Sequence, residues 1–146
     1  MLHFYEANIK GPVAQPSNTA TALPYFIVGL AILNHDANIA LAVFFVGVTT
    51  IYFHARCTIL GQYVDILSII ILAAVFFLKA YPFNQLNQIN FIIGILLIVI
   101  AEVFWIIDIK HVKFIPKNHI LTGHGVWHIL TAISVWFFYM SLAKST

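Results

Sequence analysis

The chain has 146 residues, of which 62% are hydrophobic and only 8% are charged. A typical soluble domain carries about 25% charged residues, so this composition excludes a water-soluble globular protein and indicates a polytopic membrane protein. The net charge of +2 is too small to suggest a nucleic-acid partner. The single cysteine, Cys57, excludes an internal disulfide and a multi-cysteine metal site. We therefore expect one integral membrane domain over residues 1–146.

The polar residues 1–19 contain Gly11, Pro12 and Pro16, and they predict an irregular or interfacial arm. They lack the basic-then-apolar pattern of a cleaved signal peptide, so we expect direct membrane insertion. Five apolar segments follow, near the length of about 20 residues that a membrane-spanning helix needs. The predicted helices cover about 16–34, 38–56, 61–80, 89–109 and 119–142. The sequence therefore predicts an all-α fold, a polytopic transmembrane bundle of about five helices.

Except for the flanking Lys79, the ionisable residues within these segments share one half of the membrane. Because successive spans alternate in direction, each helix end belongs either to the side of the N-terminal arm, the arm side, or to the opposite, far side. His54 and Asp65 lie near arm-side helix ends, and Glu102 lies in the arm-side half of its helix. His124 and His128 lie roughly 8 and 13 Å in from the predicted start of the last helix. We interpret these residues as one site.

The distribution of basic residues predicts the orientation. The arm side carries Lys10, Arg56, Lys110, Lys113 and Lys117, and the far side carries Lys79 and Lys144. The positive-inside rule therefore places the arm side, and the site with it, at the cytoplasmic face.

His124 and His128 stand four residues apart, so both imidazoles project from the same face of a helix. Ionisable side chains at membrane depth are costly and normally face the bundle interior, where they pair or bind a ligand. A helical His-x-x-x-His pair commonly presents two nitrogen ligands to zinc, and His54 in the same leaflet is the natural third ligand. Three neutral histidines and an open fourth position form a catalytic zinc site, which lowers the pKa of bound water to about 7.

Two further residues can take part in catalysis at such a site. Asp65 follows a short turn after His54, so its carboxylate can act as a general base and then as a general acid. Thr50 lies one turn before His54 and can orient a neighbouring group or donate to a developing oxyanion. Threonine in a membrane helix also commonly bonds its own backbone carbonyls, and Thr49 is a simple bystander of that kind. For Glu102, a pocket role and a structural role both stay open.

Three motifs resemble the alkaline ceramidase family, which belongs to a superfamily of membrane hydrolases that includes the adiponectin-receptor-like proteins. The family pattern is Ser-x-x-x-His in one helix, an Asp eleven residues later, and His-x-x-x-His in the last helix. The matching segments here are Thr50-Ile-Tyr-Phe-His54, then Gln62 with Asp65, then Gly123-His-Gly-Val-Trp-His-Ile-Leu130.

The resemblance implies a role for each matching residue. It implies that zinc is held by His54, His124 and His128. Asp65 would then act on the attacking water, and Thr50 would lie beside the reacting carbonyl. The implied substrate is ceramide or a related N-acyl sphingoid lipid.

The chain also departs from the family pattern. Only one predicted helix fits between the helix of Asp65 and that of His124, so the bundle is shortened relative to a seven-helix family. We expect a more open pocket, or one that is completed by homo-oligomerisation. Thr50 replaces the usual serine and adds a methyl group.

The family also places a calcium site in an acidic N-terminal arm. Glu6, Asn8, Gln15 and Asn18 occupy comparable places here, but only one of them is a carboxylate. Because Ca²⁺ prefers several charged oxygen ligands, the sequence leaves a calcium site open but disfavoured.

The expected function is zinc-dependent hydrolysis of a lipid amide within the membrane, with release of a fatty acid. A phospholipid or lysolipid acyl hydrolase with the same zinc site is an alternative. Two alternatives come from other classes. One is a haem-binding membrane protein with axial histidines, which gives Asp65 no role. The other is a small receptor in which zinc is structural.

Overall fold

The computed structural model describes residues 4–110 and 121–142, and these residues form helices and connecting turns without strands. The helices are α1 (Pro16–Ala20), α2 (Leu23–Leu33), α3 (Ala37–Arg56), α4 (Ile59–Ala80), α5 (Gln88–Ile109) and α6 (Gly123–Leu142). Taken together, α1 and α2 form one segment of membrane-spanning length. The described residues therefore contain five segments long and apolar enough to cross a membrane, as predicted. The bounds of α3, α4 and α5 lie within two residues of the predicted ones.

The predicted first helix is present as one segment of membrane-spanning length, Pro16–Leu33, but treating it as uninterrupted was wrong. The helix over residues 16–34 is broken at Thr21 and Ala22, which form a turn between α1 and α2. Pro24 explains the break, because it has no N–H to donate to the carbonyl of Ala20, four residues earlier, and its ring would clash with that carbonyl in a continuous helix. Proline is tolerated in the first turn of a helix, and α2 begins just there, with Pro24 near its N-terminus.

The predicted start of the last helix was also wrong. Leu121 and Thr122 are not helical, and α6 begins at Gly123; residues 119 and 120 lie outside the described part of the chain. The Thr122 hydroxyl accepts a hydrogen bond from the Gly125 N–H at 2.8 Å, as an N-capping side chain does. His124 therefore lies in the first turn, about 1.5 Å from the start of the helix rather than about 8 Å.

A tight turn joins α3 to α4 and determines where Asp65 lies. Cys57 ends α3 in the left-handed conformation, with φ 47°. Thr58 then caps α4 by accepting a hydrogen bond from the Gly61 N–H at 3.0 Å. Because only two residues separate the helices, the last turns of α3 lie beside the first turns of α4.

The membrane-spanning helices form an incomplete ring in the spatial order α4, α3, α2, α6, α5. The α2–α3 contact is close because glycines face aromatic rings: a Cβ at Gly29 would lie 2.5 Å from the ring of Phe44, and one at Gly47 would lie 2.7 Å from Phe26. On the other side α5 packs on α6, and α4 and α5 scarcely touch. The ring is therefore open between α4 and α5.

Apolar side chains cover the outer surface, whereas polar side chains lie inside. Large exposed side chains on α4 and α5 include Leu67, Ile70, Leu78, Ile92, Leu96 and Val99. The fully buried polar side chains include Asn18, Thr50, His54, Ser68, His128 and Ser134. An apolar exterior around a polar interior fits a multi-pass integral membrane protein.

The N-terminal arm is irregular, as predicted, but it is folded against the helices. The backbone N–H of Gln15 donates to the carbonyl of His54 at 3.1 Å, next to a bond from Ala14 to Ala55 at 3.0 Å. Phe4 and Glu6 are buried at 7% and 3% exposure. The arm therefore lies against the arm-side end of α3.

Candidate metal centre

Three histidines from two helices meet inside the bundle. His54 comes from the last turn of α3, and His124 and His128 come from the first two turns of α6. Their candidate ligand atoms all lie within 4.8 Å of one another, and all three side chains are buried. The Nε2 atoms of His54 and His124 are 3.1 Å apart. The structure therefore brings together the three histidines that the sequence grouped, in an arrangement that could hold a metal ion.

The outer nitrogen of His54 is bonded to the N-terminal arm. Its Nδ1 lies 2.7 Å from Oε1 of Gln15. The Gln15 Nε2 donates to Oδ1 of Asn8 at 2.9 Å and to the backbone carbonyl of Glu6 at 3.2 Å. Because the amide nitrogen faces these acceptors, Oε1 is the end that accepts from His54, and the imidazole proton resides on Nδ1. The Nε2 lone pair of His54 then faces the other histidines.

His128 is held in the same way. Its Nδ1 lies 3.0 Å from the Thr21 hydroxyl, whose own proton has acceptors in the carbonyls of Ser17 and Asn18 at 3.0 and 3.1 Å. The hydroxyl therefore accepts from Nδ1–H of His128. Nε2 of His128 is buried and has no hydrogen-bond partner among the described residues. A buried nitrogen without a partner is costly, and a metal ion would satisfy it, so the residues fit such a group.

Aromatic rings hold His124. Its imidazole stacks on Trp127, with the ring centroids 5.3 Å apart and the ring planes at 10°. The ring centroid of Phe4, in the arm, lies 4.0 Å from that of His124. Its Nδ1 is buried without a hydrogen-bond partner in the described residues. Imidazole nitrogens suit Zn²⁺, Cu²⁺, Fe²⁺ or Ni²⁺, so the donors alone leave the metal open.

Asp108 is a buried residue of the site that the sequence reasoning missed. Its Oδ1 accepts from the backbone N–H of His124 at 3.0 Å, and its Oδ2 accepts from the N–H of Tyr5 at 2.8 Å. A carboxylate at a helix N-terminus is electrostatically favourable, and here it joins the arm to α6. The only sequence signal was an acidic residue at the end of the apolar run of α5.

Asp65 and Thr50 are directly bonded. Oδ1 of Asp65 accepts from the hydroxyls of Thr50 and Thr49 at 2.7 and 3.1 Å. Thr50 precedes His54 by four residues, about 6 Å of helix rise, so the residue that holds the carboxylate lies one turn of α3 before that histidine. The Thr49 hydroxyl bonds the carbonyls of Phe45 and Val46 at 3.0 Å each, as predicted for a threonine in a membrane helix. It also contacts the Asp65 carboxylate and lies 2.8 Å from the Ser68 hydroxyl, so it is more than a bystander.

An apolar cavity of about 390 Å³ occupies the opening between α4 and α5. Its lining includes Leu72, Ala73 and Phe76 from α4, Phe91, Ile95 and Glu102 from α5, and Trp127, Ser134 and Phe138 from α6. Along α6 it extends from Trp127 to Leu142, about 22 Å.

The arm-side end of the cavity is walled by residues that contact the histidines. Trp127 packs on both histidines of α6, and the ring centroid of Tyr25 lies 6.5 Å from that of His128. Glu102 has both of its predicted roles, because it lines the cavity and accepts from Nε1 of Trp127 at 3.0 Å.

The resemblance relates side-chain oxygens of Glu6, Asn8 and Gln15 to a calcium site, but these oxygens accept hydrogen bonds from other groups of the protein. Both carboxylate oxygens of Glu6 accept backbone N–H groups, from Ser17 and Asn18 at 2.8 Å each. Oε1 of Gln15 accepts from His54, and Oδ1 of Asn8 accepts from Gln15. These oxygens face separate donors rather than one centre, so the donor set does not fit Ca²⁺.

Cys57 lies near the site without the properties of a ligand. Burial raises the pKa of its thiol, and the Glu6 carboxylate raises it further. Its Sγ lies 3.4 Å from Oδ1 of Asn8. Since the thiolate is the form that binds metals, a raised pKa disfavours metal binding by this cysteine.

Comparison with protein-family models, with curated proteins and with solved structures gives no match. The resemblance to alkaline ceramidases therefore stays a prediction that rests on the three motifs. What the fold and site define is a class: a multi-pass membrane protein with a buried cluster of three histidines that could hold a metal ion.

Proposed function

We propose that this protein is an intramembrane zinc-dependent hydrolase that cleaves the amide bond of a ceramide-like lipid. The observation that supports the proposal most is that a hydrogen-bonded carboxylate and an apolar cavity both lie next to the histidine cluster. The hydrogen-bonded pair of Asp65 and Thr50 lies one helical turn from His54 in the histidine cluster. An apolar cavity that is open between α4 and α5 ends against side chains packed on that cluster.

The chemistry divides between the metal and the carboxylate. Zinc on three histidines would act as a Lewis acid and lower the pKa of a bound water to about 7. Asp65 accepts a proton from the attacking water while the water oxygen forms a bond to the amide carbon. The same proton passes to the leaving nitrogen as the carbon–nitrogen bond breaks. The products are a fatty acid and a sphingoid amine.

Thr50 and Thr49 orient the base in this arrangement. The Thr50 hydroxyl donates to Oδ1 of Asp65 at 2.7 Å, and the Thr49 hydroxyl lies 3.1 Å from the same oxygen, so the two contacts restrict the rotation of the carboxylate. We therefore assign Thr50 to the orientation of Asp65 rather than to the stabilisation of an oxyanion, because its proton is already donated.

The position of the site suits a lipid substrate. An acyl chain could enter the cavity from the bilayer between α4 and α5 without crossing water. His128 lies about 7.5 Å from the arm-side start of α6, a depth just below the lipid headgroups. The excess of basic residues on the arm side supports a cytoplasmic location for this end.

The haem alternative fits the geometry less well. The ring centroids of the three histidines lie 4.4, 4.8 and 5.1 Å apart. Phe4 and Trp127 pack directly against this cluster. This packing leaves no flat space for a macrocycle between two axial imidazoles.

The first test is lipid hydrolysis by the purified full chain in liposomes. We expect zinc-loaded protein to release fatty acid from ceramide, measured by mass spectrometry. A chelator should stop the reaction and added Zn²⁺ should restore it. Release from phosphatidylcholine or lysophosphatidylcholine instead would favour the acyl-ester alternative. Absence of release from all three lipids would contradict the hydrolase proposal.

A bulky side chain in the cavity should shorten the acyl chain that the enzyme accepts. Ala73 lines the cavity, so Ala73→Trp fills space that a long chain would occupy. We expect kcat/KM for long-chain ceramide to fall roughly 10-fold relative to that for a short-chain ceramide. Ala74→Trp is the matched control, since Ala74 is also exposed on α4 but is not among the residues that line the cavity. Equal chain-length profiles for the two variants would contradict the assignment of the cavity.

A further inference from the structure

The geometry points to Gln15 and Thr21 as positioning residues of the metal centre. We infer that they fix the proton of His54 and that of His128 on Nδ1, so that both Nε2 lone pairs are presented to the metal. The inference rests on the metal site of the proposed function and does not depend on the reaction that the site catalyses.

A neutral imidazole carries one proton on either of its two nitrogens, and only the other nitrogen can bind a metal. The tautomer is set by the hydrogen bond that the outer nitrogen makes. At His54 and His128 that outer nitrogen is Nδ1, and in both cases its partner comes from the chain between residues 15 and 21. The N-terminal segment is therefore part of the metal centre, not only a cover over it.

Gln15 can accept in only one orientation. Its Nε2 faces the backbone carbonyl of Glu6, which cannot donate, and its Oε1 faces the side-chain nitrogen of Asn18 at 3.2 Å. Turning the amide over would set oxygen against oxygen at Glu6 and nitrogen against nitrogen at Asn18. The backbone N–H of Gln15 is also bonded to the carbonyl of His54, so the residue is held at both ends.

Two local features let Thr21 reach His128, namely the turn between α1 and α2 and the absence of a side chain at Gly125. The break between α1 and α2 leaves Thr21 in a turn, where its hydroxyl donates to carbonyls of α1. Gly125 of α6 lies beneath it: a Cβ there would be 3.0 Å from the Thr21 methyl group. The missing side chain of Gly125 lets Thr21 approach α6 closely.

His124 provides an internal contrast. Its Nδ1 has no hydrogen-bond partner among the described residues, and aromatic packing holds its ring instead. His54 and His128 thus receive their tautomer from the N-terminal segment, and Nε2 of His124, 3.1 Å from Nε2 of His54, faces the lone pair that this leaves on His54.

The test compares pairs of near-isosteric variants by their zinc affinity, measured by competition with a chelating dye on the detergent-purified full chain. Gln15→Met removes the acceptor and should weaken zinc binding about 10–100-fold. Gln15→Glu loses the same donor to Glu6 and Asn8 but keeps an acceptor for His54, so it should bind zinc more tightly than Gln15→Met. Likewise, Thr21→Val removes the hydroxyl that accepts from His128 and should weaken zinc binding, whereas Thr21→Ser keeps a hydroxyl and should bind zinc more tightly than Thr21→Val. Equal affinity of Gln15→Met and wild type, or equal weakening in Gln15→Met and Gln15→Glu, would overturn the inference.

Nitrogen-15 NMR of the metal-free chain gives a second readout that requires neither zinc nor activity. Wild-type His54 and His128 should show protonated Nδ1 and unprotonated Nε2. The His54 signals of Gln15→Met should shift to a mixture of tautomers, while those of His128 stay unchanged. A His54 tautomer that does not change in Gln15→Met would overturn the inference even if the metal and hydrolase proposals hold. Failure of wild type to bind zinc would contradict those proposals alone.

Discussion

Replacing Asp65 by asparagine is expected to abolish lipid hydrolysis while the bound zinc stays in place. Asparagine has the shape of aspartate and retains an oxygen that can accept from the Thr50 hydroxyl, so the local packing should survive. It cannot take up and return a proton. General acid–base catalysis contributes about 10²–10⁴-fold to rate, so we expect kcat to fall by that factor. Fatty-acid release and elemental mass spectrometry on the same preparation measure the two quantities.

Glu102→Gln is the matched control for this experiment. Glu102 is a second carboxyl group near the cluster, but it accepts a hydrogen bond from Trp127, which glutamine can also accept. We expect this variant to keep most of the activity and all of the zinc. If Asp65→Asn retained activity similar to that of Glu102→Gln, Asp65 would not be the catalytic base. Loss of zinc from Asp65→Asn would instead indicate a role in holding the metal.

His128→Ala is expected to lose the metal. The side chain is fully buried, and its Nε2 has no hydrogen-bond partner in the described residues, as expected for a ligand atom. Alanine would leave two histidines, one fewer than the three protein ligands of catalytic zinc sites. We expect the zinc content to fall from about one per chain to near zero, and hydrolysis to stop with it. Elemental mass spectrometry of the purified variant gives the metal content.

His35→Ala controls for the removal of a histidine as such. His35 is exposed in the turn before α3, on the far side of the bundle, so its loss should leave the zinc content unchanged. One zinc per chain in His128→Ala would contradict the ligand set. No zinc in wild type, even after reconstitution with the metal, would contradict the proposed site as a whole.

The amino-acid sequence by itself determined the class of fold and the grouping of the histidines. Hydrocarbon cannot satisfy backbone polar groups, so long apolar segments must be helices that span the membrane. Alternation of those helices then assigns every residue to a leaflet without knowledge of how the helices pack. That rule grouped His54 with His124 and His128, and the structure brings them together.

Only the tertiary structure decided which groups surround these histidines. Gln15 lies 39 residues from His54, and Thr21 lies 107 residues from His128. Asp108 contacts the backbone of His124 across the segment between α5 and α6. Gln15 lies within the polar arm and Asp108 lies near the end of the apolar run of α5, and nothing in either stretch indicates an inward-facing side chain.

The order of the helices and the open cavity also came from the structure alone. The helix α5 is apolar on nearly all sides, so its sequence period does not show which face is buried. In a lipid environment the outer and inner faces of a helix can be equally apolar, and association depends on the close fit of particular side chains. Contacts such as Phe44 on Gly29 set the ring in its order, and that order leaves the opening between α4 and α5.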